Sequence, residues 1–344
     1  MLASEQDESF VGVDVGGTSI KIGWIRSDGQ QRDETSVPTP PESADEAIKR
    51  ISAVVGQWRQ RPGRQGIRAI GLGTPGPLDL PEGRILTPVN LRAWGDFPIR
   101  DRLSRAVSLP VVFANDANAA AFGEYWLGGG QQQSSLVLFT LGTGVGSGIV
   151  IDDRLLIGST GNGGEFGHLT VDYRPDTRLC SCGQPGHLEA WASATAVGQI
   201  ATTRMRQSPA GTAADGLLAN RLASQGRLTA LDIHQAALQD DPLALQLIDE
   251  TADWLVRGIG HVVYSVDPRQ VLLGGAMNFG GPQCRIGQRF LGRVRAGTRG
   301  IVFSAIARNL RIEFARLGGS AGWIGAAGLA RRDYHAGKLN PAEH

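Results

Sequence analysis

Val11-Gly-Val-Asp14-Val-Gly16-Gly17-Thr18-Ser-Ile-Lys21-Ile-Gly-Trp-Ile25 and Leu136-Val-Leu-Phe-Thr-Leu-Gly142-Thr143-Gly144-Val-Gly146-Ser147-Gly148-Ile-Val-Ile151 are built alike. Each is an apolar run, a turn of small residues and a second apolar run, which reads as strand–turn–strand. Backbone amides exposed in such turns can wrap phosphate oxygens. The two stretches bracket Asn115-Asp116. Two such turns with an aspartate between them point to a nucleotide held from both sides.

Working outward, the 344 residues suffice for two domains with well-buried cores. The formal net charge of +1 provides no field to attract nucleic acid or an anionic membrane. Glycine, at 48 residues, is about twice its usual ~7% share and clusters where tight turns are expected. The first nine residues are polar and acidic, unlike a signal peptide, and no apolar run approaches the ~20 residues of a membrane span. Three cysteines are too few for a disulfide framework. The expectation is a cytoplasmic protein.

Between the hairpins, apolar residues at helical spacing predict a helix over 43–60, closed by Arg61-Pro-Gly-Arg64. Ile67–Leu72 and Val111–Phe113 read as strands, and Ala117–Leu127 as a helix. Further on, Leu245–Tyr264 carries one apolar face, Val271–Leu273 is a strand entering Gly274-Gly275, and Gly322–Arg332 is a small-residue helix. Strands alternating with helices make the class α/β. Gly17-Thr18 against Gly142-Thr143 reads as a crude internal repeat, so two similar halves facing across a cleft are expected. The expected division is residues 1–117 plus 322–344 as a small domain and 118–321 as a large one.

Each motif carries a chemistry and a plainer alternative. Asp14 ahead of Gly16-Gly17-Thr18 could hold Mg²⁺, which prefers oxygen ligands, or the segment could be a turn without a ligand. Gly142-Thr143-Gly144 opens a turn that lacks the Lys-Ser/Thr of a P-loop and the G-x-G-x-x-G spacing. Asp116 at a helix start could accept a proton from a substrate hydroxyl, though Asn and Asp are also ordinary N-caps. His168, Cys180, Cys182 and His187 would make a four-coordinate His₂Cys₂ zinc site, or are two thiols and two loop histidines. Glu165 and Glu189 flank them, suited to sugar hydroxyls or to plain surface charge. Gly274-Gly275 could pass beneath an adenine ring, or be a tight turn.

Taken together, Asp14-x-Gly-Gly-Thr18, Asn115-Asp116-Ala-Asn118, Leu141-Gly-Thr-Gly-Val-Gly-Ser-Gly148, Gly164-Glu-x-Gly-His168 and Cys180-x-Cys-Gly-x-x-Gly-x-x-Glu189 resemble the ROK family of sugar kinases and repressors. The run from Gly167 to Asp172 is most similar to bacterial glucokinases within that family. The resemblance implies an actin-like (ribonuclease H-like) two-domain ATPase fold, usually dimeric, closing on sugar and ATP. It implies phosphorylation of a hexose 6-hydroxyl, glucose first, with Asp116 as general base. By position Asn90, Asn115, Glu165, His168 and Glu189 would bind the sugar. Asp14, Gly16, Gly17, Thr18, Lys21, Gly142, Thr143, Gly144, Gly274 and Gly275 would bind the nucleotide with Mg²⁺. The family holds zinc with one histidine and three cysteines; here His187 stands at the third cysteine position. Other hexoses, N-acetylhexosamines and a polyphosphate donor remain open. A sugar-responsive repressor is the alternative from another class, against which stand the few residues ahead of the first strand and the absence of a basic recognition helix.

Overall fold

A computed structural model describes residues 8–61, 66–87, 91–207 and 216–339. In chain order its first elements are β1 (Ser9–Val15), β2 (Ser19–Arg26), β3 (Gln31–Pro38), α1 (Ala44–Gln60), β4 (Ile67–Thr74), β5 (Leu78–Asp79), β6 (Arg84–Ile85), α2 (Ile99–Val107), β7 (Val111–Asn115) and α3 (Asp116–Leu127). There follow β8 (Ser135–Leu141), β9 (Val145–Ile151), β10 (Arg154–Leu155), α4 (Glu189–Ala192), α5 (Ala194–Gln207), α6 (Leu217–Gln225), α7 (Ala230–Ala237) and α8 (Pro242–Val266). The last are β11 (Gln270–Gly274), α9 (Arg285–Ile301), α10 (Ser304–Asn309), β12 (Arg311–Phe314) and α11 (Ala321–His335).

Both expected hairpins form. β1 and β2 run antiparallel with Asp14 opposite Lys21, and their sheet has the order β3-β2-β1-β4-β7. β4 lies parallel to β1 and to β7. The second five-stranded sheet has the order β10-β9-β8-β11-β12, with β8, β11 and β12 parallel. Counted along the chain, each sheet stands in the order 3-2-1-4-5. The repeat that the two glycine turns suggest therefore extends to whole-sheet topology.

Two local expectations need correction. β3 carries Gln-Arg-Asp-Glu-Thr-Ser-Val-Pro, a polar run with no apolar alternation, and so reads as loop. It is a strand because it pairs with β2 at the sheet edge, where one flank faces water. β2 is also more than half-buried. A Cβ on Gly23 would come within 2.1 Å of the Trp323 indole, so the second face of β2 is roofed by α11. The small residues of α11 serve the same packing. A Cβ at Gly325 would lie 1.6 Å from the Ala119 carbonyl oxygen and one at Gly71 1.7 Å from that of Ala326. Only backbone-to-backbone approach fits there. The other face of this sheet is closed by α1, whose Ile51, Val55 and Trp58 join Val13, Ile22 and Ile70 in one apolar cluster.

Cα packing separates Met1–Ser134, Gly148–Gly164 and Arg316–His344 from Ser135–Ser147 and Glu165–Ala315, the division falling inside β9. Among the described residues no helix is long and apolar enough to cross a membrane.

Candidate functional site

In the first unit, β7 ends at Asn115 and α3 begins at Asp116. Asn115 is the N-cap: its Oδ1 accepts from the Ala117 amide at 2.9 Å and from the Asn118 amide at 3.2 Å. The capping role that either residue could fill thus belongs to Asn115. Asp116 stands at the first helical position, half-buried, with Oδ1 accepting from the Ala117 amide at 2.8 Å. A carboxylate there is favoured as the anion by the helix dipole.

Asp14 closes β1 at the other glycine motif of this unit. Burial raises its carboxyl from the ordinary value to about 6, with Lys21 acting against the rise. A Cβ on Gly322 would lie 2.4 Å from Asp14 Oδ2, so the carboxylate sits against the first turn of α11 where only glycine leaves room. Lys21 Nζ donates to the Gly319 carbonyl at 2.6 Å. The turn after Asp14 is pinned rather than loose. Gly16 N–H donates to the Ser19 carbonyl at 2.9 Å, and Thr39 Oγ1 donates to the Gly16 carbonyl at 2.7 Å. Gly17 and Thr18 are exposed.

In the second unit the turn between β8 and β9 is held from behind. Its carbonyls are taken by the start of α5: Ala194 N–H donates to Gly142 O at 2.8 Å and Thr195 Oγ1 to Thr143 O at 2.7 Å. Glu189 Oε2 accepts from the Val145 amide at 3.0 Å and would lie 2.3 Å from a Cβ on Gly144. The register of β8 and β11 places Gly274 opposite Thr140. Gly275 then takes φ +88°, and a Cβ on it would lie 2.2 Å from the Leu141 carbonyl oxygen. Gly142, Thr143, Gly144, Gly274 and Gly275 are therefore brought to one end of this sheet. Beside them opens a cavity of about 730 Å³, within the roughly 300–1,000 Å³ of small-molecule sites. Thr143, Thr195, Arg227, His234, Met277 and Phe279 are among its lining. Apart from Thr143, the sequence reading missed these residues. They come from α5, α7, the loop ahead of α7 and the segment after β11, and no local motif links them.

The third group also lies in the second unit. A short turn brings Cys180 and Cys182 round: Cys180 N–H donates to Gln184 O, Gly183 N–H donates to Cys180 O, and Thr170 bridges His187. The ligand atoms of His168, Cys180, Cys182 and His187 all lie within 4.8 Å of one another. His168 Nδ1 is 3.3 Å from His187 Nδ1 and 3.6 Å from Cys180 Sγ, and Cys182 Sγ is 3.3 Å from His187 Nδ1. A tetrahedron built on Zn–N of ~2.05 Å and Zn–S of ~2.3 Å has edges of about 3.3 Å and 3.5 Å. The donor set and spacing fit such an ion. Desolvation holds His187 below its ordinary value, hence neutral and able to ligate, and raises the Cys180 thiol to about 11. A bound cation would reverse the latter by stabilising the thiolate.

Glu165 precedes the helical turn Phe166–His168, and Phe166 N–H donates to Ser147 Oγ at 2.8 Å. Desolvation raises its carboxyl, His168 lowers it, and Glu189 raises it further. Glu189 Oε1 accepts from Ser181 Oγ at 2.5 Å and from the Cys180 thiol at 3.5 Å. One carboxylate thus links the cysteine turn to the Gly144-Val145 turn. Asn90 lies outside the described residues.

The model of the ROK family matches residues 10–333. The chain is 34% identical to a glucokinase of Halalkalibacterium halodurans over 95% of its own length and 96% of that protein's. It is 35% identical to a glucokinase of Streptomyces coelicolor, covering 93% and 97%, and 31% identical to an N-acetylmannosamine kinase of Shigella flexneri, covering 94% and 98%. Among solved structures, a ROK hexokinase from Thermus thermophilus is similar with a TM-score of 0.78 and 33% identity, covering 95% of this chain and 99% of that one. A ROK family glucokinase from Streptomyces griseus in complex with glucose and AMPPNP has a TM-score of 0.75 and 34% identity, covering 94% and 99%.

Proposed function

The chain belongs to the ROK family, has the actin-like fold of its sugar kinases, and from that membership we propose that it phosphorylates the 6-hydroxyl of a hexose from ATP, with glucose as the acceptor. The glucokinase relatives support the sugar, and the complex of the Streptomyces griseus enzyme with glucose and AMPPNP supports the pair of substrates.

Asp116 is the general base in this reading. The supporting observation is the division of labour at the start of α3, where Asn115 caps the helix and the Ala117 amide orients the Asp116 carboxylate. Asp116 takes the proton of the sugar hydroxyl as its oxygen attacks the γ-phosphorus in line, with ADP leaving. Asn90, Asn115, Glu165, His168 and Glu189 bind the sugar. His168 reaches it through Nε2, because Nδ1 faces the cysteines. The amides of Gly16, Gly17 and Thr18 and of Gly142, Thr143 and Gly144, with Lys21, take the phosphates. The cavity beside Gly274-Gly275 takes the base and ribose. Asp14 is the oxygen donor for Mg²⁺, an ion that offsets charge on the transferring group. Zinc at His168, Cys180, Cys182 and His187 would fix the loop that presents Glu165 and Glu189, as a structural ion. A cytoplasmic homodimer is proposed on the family resemblance alone.

A coupled assay across hexoses and N-acetylhexosamines, with ATP and polyphosphate as donors, tests the substrate assignment. Asp116→Asn should lower kcat by about 10²–10⁴-fold with glucose binding nearly intact. Turnover at the parent rate in that variant would remove Asp116 from the base role.

A further inference from the structure

The geometry points to a second, anion-binding site in the second unit that recognises a phosphomonoester dianion, formed by α9, α10 and β12. Arg295, Thr298 and Arg299 of α9, Arg308 of α10, and Arg311 and Glu313 of β12 line a cavity of about 260 Å³. It is distinct from the nucleotide cavity and shares no lining residue with it.

Four guanidiniums face one carboxylate in this space. Among the described residues no ion pair engages Arg295, Arg299, Arg308 or Arg311. Glu313 is already engaged, accepting from Gln270 Nε2 at 3.2 Å. Arg295 is set in place by its Nε, which donates to the Ile312 carbonyl at 2.7 Å and leaves the rest of the guanidinium fork for another acceptor. Like charges gathered without counter-charges repel, and a bound anion relieves that repulsion.

Thr298 provides the second, independent observation. It is 1% exposed and lines the cavity, yet its Oγ1 has no hydrogen-bond partner. A buried hydroxyl without a partner is rare and costs free energy until an acceptor arrives. A phosphate oxygen supplies that acceptor while its other oxygens meet guanidinium forks, the pairing arginine favours. The volume falls below the usual range of sites for larger ligands, which selects inorganic phosphate or a small phosphate ester over a nucleotide. The inference is independent of the sugar-kinase reading.

The test is calorimetric titration of the whole protein with inorganic phosphate and, separately, with a hexose 6-phosphate. The expected result is saturable binding with Kd near 1 mM or tighter for at least one probe. The double variant R299Q/R308Q should weaken it about tenfold, and T298V, which keeps the side-chain shape, about threefold. R289Q lies on the same helix but is committed to Asp249, and should leave binding unmoved. Tighter binding of the ester than of inorganic phosphate would identify the ester as the ligand, and equal binding the phosphate group alone. Absence of saturation, binding that R299Q/R308Q or T298V leaves unchanged, or equal weakening by R289Q would overturn the assignment. Melting curves without phosphate establish that each variant is folded.

Discussion

Gly142 and Gly275 look equivalent in the sequence, since both are glycines of turns assigned to the nucleotide. The structure separates them sharply. At Gly275 the backbone has φ +88°, and a Cβ would lie 2.2 Å from the Leu141 carbonyl oxygen. At Gly142 the added Cβ meets nothing within 4 Å. For Gly275→Ala the left-handed backbone costs about 1–2 kcal/mol. The collision with a hydrogen-bonded backbone oxygen adds about 1–3 kcal/mol, because neither partner is a flexible side-chain tip. The expected loss is therefore about 2–5 kcal/mol, against less than about 0.5 kcal/mol for Gly142→Ala. Denaturant unfolding followed by far-UV circular dichroism and tryptophan fluorescence would read both. A common midpoint shift for the two probes would justify treating the change as one transition. The reasoning is refuted if Gly275→Ala costs under about 1 kcal/mol, or if the two variants are equally destabilised.

Three further outcomes are expected. Purified protein should carry one zinc per chain by elemental analysis; His187→Ala should lose it and lower the Tm, while His187→Cys should keep it. Asn115→Ala removes two capping hydrogen bonds and should cost about 1–2 kcal/mol in denaturant unfolding. Asp14 has a folded pKa raised from 3.8 to about 6, so its contribution to stability is fully present below pH 3.8 and is lost as pH rises through about 6. Asp14→Asn should remove that loss, so the variant gains on the parent across this window by up to about 3 kcal/mol. A parallel pair of stability–pH curves would contradict the burial of Asp14.

The sequence by itself determined whatever depends on neighbours along the chain. The two strand–turn–strand patterns, the helix after Asn115 and the Cys180–Cys182 turn are each set by a few adjacent residues, through side-chain alternation, capping and glycine punctuation. These local patterns sufficed to place the chain in its fold class and to pick out His168, Cys180, Cys182 and His187, whose donor atoms the structure gathers. The edge strand β3 escaped because its order derives from β2 rather than from its own polar residues. Tertiary structure alone decided the rest. Gly275 meets Leu141 only through the parallel register of β8 and β11, and Asp14 titrates high only because α11, some three hundred residues later, returns to cover it. Glu189 could have been surface charge by its sequence; the fold makes it the link between the cysteine turn and the Gly144-Val145 turn. Register, burial and cavity shape arise from contacts between distant segments, and periodicity along one segment holds no information about which distant segment will pack against it.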